Sequence, residues 1–169
     1  MKVLTVWQPW AQLLAAGHKH NETRSWRTNY RGEILIHAAK KPYSQIERRF
    51  MTAESRKLIR DTLGLGFIDW KDRIPTGAII GRAKLTDCKL IDEAYYQFTK
   101  DLCPEEFLYG DFTPGRYAWV FEEPELFKNP LPVSGRQGLW NWEGAIWSRN
   151  GELYIEEVND HDRAENENN

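Results

Sequence analysis

Cysteine is nearly absent from this chain, with only Cys88 and Cys103 in 169 residues. Two thiols cannot build a disulfide framework, and neither sits in a C-x-x-C pair with histidines at zinc spacing. A reduced, cytoplasmic protein is expected, nuclear if the source is eukaryotic, with no structural metal. Long apolar runs are missing as well. They fall far short of the roughly 20 residues that a membrane helix requires, and no charged-then-apolar leader opens the chain, so neither insertion nor secretion is expected. No internal repeat or low-complexity stretch precedes residue 156, and the length suits one domain with a real core.

Net charge is small, −2, yet its distribution is lopsided. The first 60 residues carry twelve Lys and Arg against four carboxylates, whereas the remainder carries eleven against twenty-one. A polyanion partner for the basic half is therefore compatible with an acidic whole. Residues 156–169 (EEVNDHDRAENENN) hold six carboxylates and one arginine. So polar a stretch cannot offset its ordering entropy, and the expectation is a domain over 1–155 followed by a disordered acidic tail over 156–169.

Periodicity places the elements. Residues 3–6 read as a strand, and Pro9 then precedes Trp10, Leu13 and Leu14 at the spacing of one helix face. Gly17 closes that helix in a left-handed conformation. Residues 32–39 contain the continuous run Ile34, Leu35, Ile36, as in a strand covered on both sides. Ser44-Gln45-Ile46-Glu47 is a capping box, predicting a helix toward Thr62 that carries Arg48, Arg49, Arg56, Lys57 and Arg60. Further strands are expected over 78–85, 117–122 and 138–143. Of the eight tryptophans, Trp10, Trp119 and Trp140 are assigned to the core.

Chemistry concentrates in residues 17–24, Gly-His-Lys-His-Asn-Glu-Thr-Arg, a G-x-K-x-x-E-x-R octet. Lys19, beside the helix end, is a candidate phosphate contact or, if desolvated, a general base. Glu22 and Arg24 share a face if the segment is extended, as an ion pair that fixes the loop or as a site in which Arg24 holds a phosphate. Trp26 and Tyr30, flanked by Arg24, Arg27 and Arg31, are candidates for stacking on unpaired bases. Lys40 and Lys41 form a basic rim. His18 and His20 lack a third metal ligand, and His37 within the apolar strand reads as a core or cleft-floor histidine.

The octet, the opening Leu4-Thr5-Val6-Trp7-Gln8-Pro9-Trp10-Ala11, the stretch RGEILIHAAKK at residues 31–41, Gly115-Arg116-Tyr117-Ala118-Trp119-Val120 and Gly138-Leu139-Trp140 occur in order. Together they resemble the ASCH (activating signal cointegrator homology) domain family, most nearly its coactivator-type branch. The resemblance implies an α+β fold, a PUA-like β-barrel with flanking helices. It also implies binding of RNA or single-stranded nucleic acid in a cleft lined by Gly17, Lys19, Glu22 and Arg24, with no cofactor. Some small bacterial members are amidohydrolases of N4-acetylcytidine, and ribonuclease activity has been attributed to others. In the amidohydrolases the lysine matching Lys19 is catalytic, but a threonine stands in place of Glu22. The alternative is thus a metal-independent hydrolase using Lys19 and Glu22, its further carboxylate unassigned among Asp87, Asp92 and Glu93. A protein-interaction scaffold with an incidental basic cleft is the third and least favoured expectation.

Overall fold

The computed structural model describes residues 1–41, 49–65, 74–149 and 152–157. In chain order these form β1 (Lys2–Val6), α1 (Trp10–Ala15), β2 (Asn21–Arg24), β3 (Gly32–Ala38), α2 (Ala53–Thr62), β4 (Ala78–Leu90), α3 (Glu93–Leu102), α4 (Pro104–Leu108), β5 (Tyr117–Pro132), β6 (Leu139–Asn141), β7 (Gly144–Arg149) and β8 (Glu152–Glu157). Six strands make one mixed sheet in the order β2-β5-β4-β3-β1-β6, and β7 and β8 pair separately. Only β1 and β3 run parallel within it. No helix among the described residues is long and apolar enough to cross a membrane.

The sheet curls into a half-barrel, and one side chain shows how far. Arg24, on the first strand of the order, donates from Nη2 to the backbone oxygen of Thr5 on the fifth, 2.8 Å away. A guanidinium thus ties strands that share no ladder. The unbroken apolar run of β3 follows from the same curl. Ile34 and Ile36 enter a core with Leu4, Leu14 and Trp119, whereas Leu35 faces a second core with Val3, Ile79 and Trp140. Both faces are covered, so alternation is lost.

Helix α1 ends as its glycine predicts. His18 N bonds to Leu13 O at 2.9 Å and Gly17 N to Leu14 O at 3.3 Å, the paired bonds of a Schellman closure, with Gly17 at φ +79°. A Cβ on Gly17 would also lie 2.9 Å from Pro124 Cγ. Gly17→Ala is therefore expected to destabilise the fold by at least about 1 kcal/mol. An unchanged urea midpoint would contradict it.

The helix expected up to Thr62 is interrupted at residues 51–52, between helical residues 49–50 and 53–62. Thr52 is extended, at ψ 166°, and its hydroxyl caps Ser55 N at 3.1 Å, so the helix restarts there as α2. The box itself and Arg48 lie outside the described residues. Helices α3 and α4 and the β7–β8 hairpin were not anticipated, although Asp92, which caps Tyr95 N at 2.8 Å, and Pro104 in the first turn of α4 are start signals. Strand β8 runs through Glu157, two residues into the stretch expected to be tail. Residues 158–169 lie outside the described residues.

Candidate functional site

Beside the curled sheet lies a cleft of about 700 Å³ whose lining includes Thr5, Trp7, Arg24, His37, Lys40 and Arg136. Its cations come from β2, the residues just after β3 and the loop between β5 and β6, and among the described residues no carboxylate lines it. Low-dielectric walls of one sign focus a positive potential into such a space.

The floor is held by short polar contacts. Thr5 Oγ1 donates to Arg136 O at 2.5 Å and accepts from Trp140 Nε1 at 3.0 Å. His37, 2% exposed, donates from Nε2 to Val133 O at 3.0 Å, its tautomer assigned from that acceptor. Burial lowers the His37 pKa, against the raising effect of the Val133 bond, so the ring is neutral at physiological pH. It is the cleft-floor histidine that its place in the strand suggested. A Cβ on Gly135 would fall 2.1 Å from His37 Cε1, so the loop can lie on the ring only as glycine.

The octet contributes to this cleft through one residue, Arg24. Its Nη2 lies 3.1 Å from Glu22 Oε1, so the ion pair read from the two-residue spacing forms. Lys19 departs from the expectation of a phosphate contact. It is 1% exposed, its ammonium donates to Asn21 O, and it lies 3.7 Å from Glu22 Oε2. The turn that Gly17 creates aims Lys19 inward, where a Cβ on Gly110 would lie 3.5 Å from its Nζ.

Other expected positions divide. Trp26 is 40% exposed, stacks edge-on against Trp119 with centroids 4.6 Å apart, and approaches Gly138 on the cleft wall. Lys40 lines the cleft, and Lys41 Nζ sits 3.7 Å over the ring of Trp7. Tyr30 is used structurally instead of stacking outward: its ring packs on the main core and its hydroxyl donates to Glu33 O at 2.8 Å. Arg31 folds back on Asp87, 3.3 Å away, and on the carbonyls of Thr28 and Tyr30. Arg27 is exposed but does not line the cleft.

None of the three downstream carboxylates is placed against Lys19. Asp87 pairs with Arg31, Asp92 caps α3, and Glu93 is exposed in its first turn. The carboxylate that does reach the octet is Glu106 of α4, which accepts from His20 N at 2.9 Å and Asn21 N at 2.8 Å. Nothing local in the sequence singles it out. Arg136 was also passed over, although its setting between Gly135 and Gly138, just before Leu139-Trp140, marked it.

The sequence profile of the ASCH domain matches residues 4–133. Activating signal cointegrator 1 of Homo sapiens is 28% identical over 144 residues, which cover 85% of this chain and 22% of that protein. The Mus musculus protein of the same name is 27% identical over 143 residues, with the same coverage. This chain thus spans about a fifth of the length of these relatives. The crystal structure of ASCH from Zymomonas mobilis aligns with a TM-score of 0.49 at 16% identity, over 88% of this chain and 87% of that one. With the profile covering most of its length, the chain belongs to the ASCH domain family.

Proposed function

We propose that this domain binds RNA or single-stranded nucleic acid in the cleft beside its half-barrel. The observation that carries the reading is the lining: Arg24, Lys40 and Arg136, with no carboxylate among the described residues of the cleft. Trp26, exposed on the rim against Gly138, offers a flat face to an unpaired base. Arg24 is pre-oriented by Thr5 O and Glu22, which lowers the entropic cost of its contact with a phosphate. Lys19 and Glu22 support that arrangement from behind, and the proposal calls for no metal or cofactor. The hydrolase alternative is less well supported, because the amine it needs is enclosed and already bonded. Location in the cytoplasm or nucleus belongs to the same proposal.

With about three to five phosphates engaged, log affinity should fall against log salt with a slope of roughly −2 to −4. Lys40→Ala and Arg136→Ala should each flatten that slope by about 0.7, read by fluorescence anisotropy on a labelled oligonucleotide. Salt-independent affinity, or a Lys40→Ala/Arg136→Ala double variant that binds as before, would overturn the proposal in favour of a protein-interaction scaffold. Turnover of N4-acetylcytidine by the unaltered chain would revive the hydrolase.

A further inference from the structure

We propose that the cleft holds two unpaired bases, one on Trp26 and one on a second stacking subsite made by Trp7, Phe50 and Lys41. The ligand is then an unpaired strand and not a duplex. This deepens the nucleic-acid reading and rests on it.

Single exposed rings such as Phe98 are ordinary, whereas several grouped beside a cleft mark an interaction surface. Trp7, Trp26 and Phe50 are 36%, 40% and 48% exposed; Trp7 lines the cleft, Trp26 lies against its Gly138, and Phe50 lies against Trp7. Trp7 follows β1. Phe50 arrives from a separate segment to lie 5.3 Å from Trp7, its ring tilted by 48°. The two platforms are distinct, because Trp26 packs on Trp119 and Trp7 on Phe50.

Cations attend the second platform. Lys41 Nζ lies 3.7 Å over the Trp7 ring, and Arg49 Cζ lies 5.4 Å over Phe50. An exposed cation–π contact is weaker than a base–aromatic stack, so an arriving base displaces the Lys41 ammonium from the ring. The released charge is then beside the strand and free to meet a phosphate. Paired bases already stack on one another and cannot present faces to two separate tryptophans without unpairing. Trp7 and Phe50 stand outside the octet, so this subsite is independent of the motif that marks the cleft.

The test is anisotropy with the full chain and three labelled probes: an oligouridine of about eight nucleotides, an abasic backbone of equal length, and a duplex. Trp7→Ala and Trp26→Ala should each weaken oligouridine binding by about 5- to 150-fold. Neither should alter binding of the abasic backbone, and Trp7→Phe should keep most of the affinity. Phe50→Ala is the second variant should Trp7→Ala prove misfolded by circular dichroism, with a loss in the same direction. The two-base subsite is overturned if the duplex or the abasic strand binds as tightly as oligouridine, or if Trp7→Ala has no effect while Trp26→Ala does. If none of the probes binds, the broader reading falls with it.

Discussion

Lys19→Ala should cost about 3 to 4 kcal/mol of folding stability, far more than the loss of a surface lysine. The side chain is 1% exposed, and its ammonium satisfies Asn21 O while facing Glu22. Truncation leaves that carbonyl without its partner and opens a void where three methylenes and the ammonium were packed. Glu22 keeps Arg24 at 3.1 Å, which is why the cost stays below that of an isolated buried charge. Lys19→Met, which restores the stem but not the ammonium, should recover part of the loss. Urea denaturation of the two variants beside the parent is the measurement. A midpoint unchanged in Lys19→Ala would mean that the amine reaches solvent and is available as a ligand contact. Any loss of nucleic-acid binding in this variant therefore has to be separated from loss of fold.

Gly81→Ala should be the second severe change, at about 2 to 3 kcal/mol. A Cβ there would lie 2.5 Å from the backbone oxygen of Glu125 and 2.8 Å from Ala15 Cβ. Neither neighbour can swing aside, since one is main chain in β5 and the other is a methyl on α1. The added atom pushes α1 off the sheet, and with it the Gly17 turn and the start of the octet. Weaker oligonucleotide binding should accompany the lower urea midpoint, although Gly81 lies outside the cleft. A variant with parental stability would show that α1 is not seated against β4.

Local pattern was enough for several features because each depends on neighbours in sequence. Gly17 terminates α1 through bonds that span only six residues. The covered strand around Ile34, Leu35 and Ile36 is announced by its unbroken hydrophobicity. Glu22 and Arg24 meet because a strand repeats every two residues. Thr52 shows the limit of such reasoning: its hydroxyl starts α2 inside a stretch that periodicity reads as one continuous helix.

By itself, the sequence determined the family, the mixed α+β class, the polarised charge and the pairing of Glu22 with Arg24. Tertiary structure decided which candidate residues face the cleft. Lys19 turns inward, Tyr30 and Arg31 are consumed by Glu33 and Asp87, and the lining is completed by Trp7 and Arg136, some 130 residues apart in the chain. The physical reason is curvature. A sheet bent until Arg24 reaches Thr5 brings together strands that share no ladder, and no local period encodes the angle of that bend.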